Sequence, residues 1–121
     1  MVVGAVRKNR PLINLVIGWG LKTKEVLALV DTGFTGELKL SAKEAIDLGI
    51  ASTHLKFVQL ANGEKSQMYA GLAMVSMEGV ENMVSALISG GMPIIGVGLL
   101  KRFGYNLNID FKKDFLVLQK Q

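Results

Sequence analysis

Short apolar runs bounded by glycine, asparagine or proline recur along the whole chain. Runs of about five to eight residues of this kind are typical of buried or half-buried β-strands. The pattern predicts a mostly-β chain with few and short helices, and it contains no linker, low-complexity tract or internal repeat. The main predicted strands cover residues 12–17, 25–30, 38–40, 83–88, 94–96, 105–111 and 115–118.

Two segments have the features of short helices. Ser41 and Glu44 have the spacing of a capping box, and Gly49 suits the residue that ends such a helix. Farther along the chain, apolar residues recur at helical spacing over residues 99–103 and predict a second helix that begins near Leu99.

Residues 55–77 between these helices predict a long hairpin. Its tip is Asn62-Gly63, a dipeptide that favours a two-residue type I′ turn. The uncharged residues 83–100 are nominally long enough to cross a membrane, but glycines, two serines and Pro93 interrupt them. A strand, a turn and a second buried strand explain this segment better than a membrane helix does.

The amino-acid composition limits the number of domains and the kinds of active site that the chain can form. The 121 residues, half of them hydrophobic, fit one compact domain over 1–121. The chain has no cysteine, which excludes thiol nucleophiles and thiolate metal sites. The absence of cysteine is also compatible with a reducing compartment, and we expect a cytoplasmic protein. The apolar start precedes its charges, the reverse of a signal peptide. His54 is the single histidine and no G-x-S-x-G motif is present, so we expect no serine triad, no metal and no cofactor.

Charge suggests no nucleic-acid partner. Fourteen basic and ten acidic residues give a net charge of +4. The basic residues are scattered, apart from "RKNR" at 7–10 and "KK" at 112–113. A nucleic-acid surface would need a basic stripe with aromatic partners, so we interpret these charges as an ordinary solvated surface.

Asp31 is the most unusual acidic residue. It follows five uninterrupted apolar residues, and the other nine acids sit at turns or on polar faces. A buried carboxylate is costly unless it is paired. The ordinary explanation is a strand-ending aspartate that caps a turn. The alternative is a catalytic carboxylate, because Gly33 permits a sharp turn whose N–H groups can point at Asp31.

The surroundings of Asp31 resemble a known family. "ALVDTGFTGELKLS" and, farther on, "PIIGVGLLKRFGYNLNIDF" are similar to the two hallmark blocks of retropepsin-like aspartic proteases, and "LANGEKSQMYAG" lies where that family has its flap. The family often has alanine or serine after D-T-G, whereas this chain has Phe34, which either narrows a substrate pocket or packs away from it. Small prokaryotic members resemble the DTGF-x-G pattern. The resemblance implies a closed β-barrel-type acid protease fold with one or two short helices.

The resemblance also implies an activity and site residues. Carboxylate-catalysed peptide hydrolysis needs two acids that share a proton, and one D-T-G per chain then requires a homodimer in which each subunit gives one Asp31. Thr32 and Gly33 would support the site. Peptide or protein substrate would bind in extended form under a flap, with the flap and substrate-binding residues being Ala61, Asn62, Gly63 and Tyr69. We expect residues 115–118 to form the strand between the subunits, as an otherwise unpaired edge.

Two other functions remain open from the sequence. The same scaffold can bind an extended segment without cutting it, as a catalytically silent peptide-binding or dimerisation module. The other alternative is a small membrane-attached protein, in which the uncharged residues 83–100 would form the membrane segment.

Overall fold

The computed structural model describes residues 1–59 and 62–121. It confirms the prediction of a mostly-β chain with two short helices. In chain order the elements are β1 (Val2–Arg7), β2 (Arg10–Trp19), β3 (Lys22–Val30), β4 (Leu38–Leu40), α1 (Ala42–Leu48), β5 (His54–Gln59), β6 (Lys65–Met77), β7 (Val80–Ile88), β8 (Ile94–Ile95), α2 (Val97–Phe103), β9 (Tyr105–Asp110) and β10 (Phe115–Lys120).

The strands form one sheet that closes on itself. Their order is β5-β6-β7-β4-β8-β3-β2-β1-β10-β9, and β6 also pairs with β2. This extra pairing joins Val16, Ile17 and Gly18 to the second half of β6, so that β2, β3, β8, β4, β7 and β6 make a closed circuit. Closure joins the two ends of this six-stranded part of the sheet and encloses a core. The closed-barrel prediction is therefore confirmed.

Alternation along the strands places the core inside this circuit. In β2, Ile13, Leu15 and Ile17 are buried, whereas Asn14 and Val16 between them are exposed. Successive side chains of a strand point to opposite faces of the sheet, so β2 contributes one apolar face to the core. The other strands of the circuit, together with α1 and α2, contribute the remaining core residues.

Both predicted helices are present, and α2 begins at Val97, two residues before the predicted start. Ser41 Oγ accepts a hydrogen bond from Glu44 N–H, and the Glu44 side chain accepts one from Ser41 N–H, which completes the capping box. Gly49 and Gly104 end the two helices with φ angles of 73° and 74°. Glycine adopts such left-handed angles without steric cost.

The first strand lies outside the predicted set. β1 pairs with β2 through a hairpin in which Arg7 faces Arg10, and Lys8 and Asn9 form the turn with φ angles of 51° and 63°. Positive φ at both central residues is the geometry of a type I′ turn. The "RKNR" segment therefore forms a hairpin turn in addition to a basic surface.

The hairpin of β5 and β6 is present, and its last described pair is Gln59 with Lys65. Residues 60 and 61, which precede the predicted Asn62-Gly63 turn, lie outside the described residues, so the type I′ turn stays a prediction. At the tip, Gly63 has a positive φ of 87°, and Asn62 Oδ1 accepts a hydrogen bond from Glu64 N–H at 3.0 Å.

The last strand is not an edge strand. β10 pairs with β1 on one side and with β9 on the other. The prediction that residues 115–118 form the strand between subunits is therefore wrong, because both hydrogen-bonding edges of β10 are occupied within the chain. The sheet order ends at β5 and at β9.

Residues 83–100 divide among β7, β8 and the start of α2. In the described ranges, neither helix has the length and apolar character needed to cross a membrane.

Candidate active site

Asp31 begins the loop that connects β3 to β4. Val30, the last residue of β3, is buried, and Asp31 is half-buried. Gly33 N–H donates to Asp31 Oδ1 at 2.9 Å, and Phe34 N–H donates to the Asp31 carbonyl oxygen at 3.1 Å. The hydrogen bond expected from Gly33 is therefore present, and it fixes the carboxylate against the turn.

The carboxylate of Asp31 is less enclosed than the apolar run before it indicated. Only alternate residues of β3 are fully buried near its end, and Leu27 is 45% exposed. No charged residue in the described ranges is fully buried. The expectation of a buried Asp31 is wrong because alternate residues of β3 are not buried near its end and because Asp31 itself lies beyond the strand, at the start of the turn.

The two sequence blocks interlock through backbone hydrogen bonds. The loop after β3 lies over the end of β8 and the first residues of α2, since β8 lies between β3 and β4 in the sheet. Paired amides of this kind hold the loop independently of its side chains. The bonds run from Asp31 N–H to Ile95 O (3.0 Å), Gly96 N–H to Glu37 O (3.1 Å), Val97 N–H to Phe34 O (2.9 Å) and Gly98 N–H to Gly36 O (3.0 Å).

This close approach requires glycine. A Cβ atom placed on Gly96 would lie 2.3 Å from the Phe34 carbonyl oxygen and 2.4 Å from that of Gly36. A Cβ on Gly36 would lie 2.5 Å from Cζ of the Phe34 ring. The Phe34 ring therefore packs over Gly36 and Gly96, and it lines the cleft beside the loop at the same time.

The cleft has a volume of about 480 Å³. The loop from Gly33 to Glu37 forms one wall, and residues 56–59 of β5 form the wall opposite. Ser85 and Leu87 of β7 complete the lining. The cleft therefore lies between the Asp31 loop and the end of β5 next to the tip of the β5–β6 hairpin.

Glu37 is a partly buried acid that the sequence placed on a polar face. Its side chain is only 16% exposed. Its Oε1 accepts from Ser85 N–H at 3.1 Å, and its Oε2 accepts from the Arg102 guanidinium of α2. Hydrogen bonding and charge attraction from Glu37 raise the pKa of Arg102 above its ordinary value. Arg102 is 65 positions away from Glu37, so no local pattern could have identified this pair.

Of the predicted site residues in the described ranges, Gly33 alone is among those that line the cleft. Thr32 is exposed beside Asp31. Asn62 and Gly63 are exposed at the hairpin tip, and Ala61 lies outside the described residues. Tyr69 is 61% exposed and pairs with Leu55 of β5, and it is not part of the cleft lining. The part of the hairpin that lines the cleft is therefore the end of β5 next to the tip, residues 56–59.

His54 is exposed on β5, and its Nδ1 lies 2.8 Å from Thr53 Oγ1. Within residues 1–59 and 62–121, no group of three or more histidine or acidic side chains is arranged to hold a metal ion.

Two solved structures are similar to this arrangement over most of the chain. A retropepsin-like aspartic protease from Rickettsia conorii is 22% identical with a TM-score of 0.67, and the match covers 98% of this chain and 89% of that one. The EIAV protease, solved in complex with an inhibitor, is 16% identical with a TM-score of 0.65, covering 84% of this chain and 95% of that one. This chain has the retropepsin-like fold. At these identities the likeness establishes the retropepsin-like fold alone.

Sequence comparison adds little about activity. A phosphate acyltransferase from Myxococcus xanthus is 25% identical over 91 residues, which are 75% of this chain and 26% of that protein. The chain thus spans about a quarter of the curated relative that it matches. No family model matches the chain.

Proposed function

We propose that the protein is a homodimeric aspartic endopeptidase. The observation that carries this proposal is the position of Asp31 on the retropepsin-like fold. Its carboxylate is held by Gly33 N–H at 2.9 Å, and the loop that it begins forms one wall of an open cleft of about 480 Å³.

The catalytic unit requires a second subunit. Each chain has a single D-T-G sequence. Two carboxylates about 3 Å apart cannot both ionise, so they share one proton and titrate as a pair. A two-fold axis beside the loop would bring Asp31 of two subunits together. The exposed positions of Thr32 and Gly33 support this arrangement, since a buried loop could not meet its copy.

Proton transfers by the pair account for peptide hydrolysis. The charged carboxylate takes a proton from a water molecule as its oxygen attacks the peptide carbonyl carbon, and the protonated carboxylate gives its proton to the carbonyl oxygen. The tetrahedral intermediate then breaks its C–N bond as one carboxyl group passes its proton to the leaving nitrogen and the other carboxylate takes the proton of one hydroxyl group of the intermediate, which re-forms the C=O bond. The pair returns to its shared-proton state, and the products are a carboxylic acid and an amine.

Supporting roles follow from the same geometry. Gly33 N–H holds the Asp31 carboxylate in place, and Thr32 would bond across the two-fold axis to align the two loops. The β5–β6 hairpin, with Ala61, Asn62 and Gly63 at or near its tip, would act as the flap over the substrate. β5 ends the sheet order and its residues 56–59 line the cleft, which supports pairing with an extended peptide. Tyr69, exposed on β6 of the same hairpin, would contact the substrate from the flap.

The decisive experiment combines Asp31→Asn with a solution mass. Wild type should be a dimer and should cleave members of a peptide library at mildly acid pH. The Asp31→Asn variant should remain a folded dimer and lose cleavage by about a thousandfold or more, because an amide cannot exchange the proton. Asp47→Asn, at an exposed carboxylate on α1, is the matched control and should keep wild-type activity.

Equal cleavage by wild type and the Asp31→Asn variant would refute the proposal, as would a strictly monomeric active protein. A dimer that binds peptides but leaves them intact from pH 3 to 8 would instead identify the catalytically silent binding module.

A further inference from the structure

Two charged side chains line the cleft, Glu37 and Lys56. They differ in how many of their hydrogen-bond donors or acceptors already have a partner. Both carboxylate oxygens of Glu37 already accept hydrogen bonds, one from Ser85 N–H and the other from Arg102. Arg102 also supplies the opposite charge. The negative charge of Glu37 is therefore balanced by Arg102, and Glu37 adds little net charge to the cleft.

The ammonium group of Lys56 has hydrogen-bond donors to spare for a ligand. Its Nζ donates to Ser85 Oγ at 2.8 Å, and an ammonium group has three donors. The ion pairs found among the described residues do not include Lys56. The bond to Ser85 positions the ammonium group across the cleft, from β5 to β7, with two donors available to a ligand.

The walls around this cation are mainly apolar. Phe34, Phe57, Val58 and Leu87 line the same cleft. A partly enclosed, apolar setting strengthens a charge-assisted hydrogen bond relative to one in open water. The matching ligand therefore has a short aliphatic stem for the walls and an anionic head for Lys56.

The positive charge continues along the hairpin. A second hollow of about 420 Å³ is lined by Phe57, Gln59 and Lys65, and it shares Phe57 and Gln59 with the first. The net charge of the chain, +4, also favours acidic partners through long-range attraction.

We infer that the cleft selects peptides with an acidic side chain, and that Lys56 binds the carboxylate of a glutamate close to the scissile bond. This inference rests on the proposed function and adds its substrate class. Lys56 acts here as a specificity residue, because its ammonium group contacts the substrate side chain without taking part in the proton transfers.

The test uses one cleaved library peptide and its variants. Each position within about three residues of the scissile bond is replaced in turn by Glu, Gln or Lys, and kcat/KM is measured for each peptide. At one position wild type should prefer Glu to Gln by about fivefold to tenfold, the range for a charge-assisted hydrogen bond in a half-open site. Lys56→Met keeps the stem without the charge and should abolish the preference, and Lys56→Glu should reverse it towards Lys.

Two further measurements separate charge from shape. The ratio of Glu to Gln cleavage should fall towards one as pH drops below about 4, where a peptide glutamate becomes protonated, and it should fall with added salt. Lys22→Met, an exposed lysine at the start of β3 outside the cleft, is the matched control and should keep the full preference.

Binding of the same peptides to the Asp31→Asn variant separates this inference from the proposed function. Tighter binding of the Glu peptide, lost in the Asp31→Asn/Lys56→Met double variant, would support the inference even if wild type cleaved nothing. Cleavage or binding without a Glu preference at any position, or a preference that Lys56→Met retains, would overturn it.

Discussion

Glycines, rather than the Asp31 side chain, determine how closely the Asp31 loop approaches β8 and α2. Gly96 and Gly36 leave room for the Phe34 ring and for carbonyl oxygens that a Cβ atom would overlap. The amides of Gly96, Val97 and Gly98 use this proximity to bond to the loop. The orientation of Asp31 therefore depends on residues that carry no chemistry of their own.

Gly96→Ala should damage both stability and activity. Its Cβ would lie 2.3 Å from a backbone oxygen, so the loop must move away, and overpacking of this kind costs about 1 to 3 kcal/mol of unfolding free energy. Denaturant unfolding measures the loss, and kcat should fall more than the folded fraction does because Asp31 moves with the loop. Gly90→Ala is the control, since nothing lies within 4 Å of its Cβ position. Equal stability of the two variants would show that the loop tolerates the displacement.

At the scale of single residues, the sequence predicted local contacts and missed distant ones. The bond from Gly33 to Asp31 spans two positions, and turn chemistry alone anticipates it. The Glu37–Arg102 pair spans 65 positions, and it depends on how α2 packs against the loop. The contact of Lys56 with Ser85 was missed for the same reason, because it spans 29 positions and depends on β5 and β7 lying on either side of β6.

Helices and strands whose ends are marked by capping or turn residues were predictable from the sequence. Strands that depend on pairing with distant parts of the chain were not. Ser41, Glu44 and Gly49 specify both ends of α1 within a few residues. β1 gave no such signal because its partners are β2 and the distant β10. An apolar terminal strand suggested a free edge, whereas pairing within the chain covers β10 on both sides.

The free edge at that end of the sheet is β9, so we expect β9 to contribute to the contact between subunits. Asn106 and Asn108 are exposed on it. Asn106→Asp/Asn108→Asp would place like charges opposite each other in an edge-to-edge dimer. Cross-strand charge pairs are worth about 0.2 to 1 kcal/mol each, so several of them should raise the dimer dissociation constant by about tenfold. Analytical ultracentrifugation over a dilution series measures this constant.

Asn9→Asp/Asn14→Asp adds the same charge at exposed positions in the β1–β2 turn and on β2, and it should leave the dissociation constant unchanged. If both double variants dissociate like wild type, β9 lies outside the contact and another surface joins the subunits.

At the scale of the whole molecule, the circuit of six strands is complete within one chain. One chain supplies only half of the proposed active site. The fold therefore does not need the second subunit for its core, since the core residues come from one continuous cluster. The chemistry does need it, because each chain has a single D-T-G sequence. Stability and activity should consequently respond differently to dilution: activity should fall with the dimer fraction while the fold persists.

Mixing subunits tests this division directly. If each active site uses Asp31 from both subunits, a heterodimer of wild type with Asp31→Asn has one ionisable carboxylate and is inactive. After full exchange of equal amounts, about a quarter of the dimers are wild type on both sides. Activity per wild-type chain should then fall to about half, and further with excess variant. Wild type mixed with Asp47→Asn should lose nothing. Activity that stays constant per wild-type chain, in subunits proven to exchange, would mean that one Asp31 suffices.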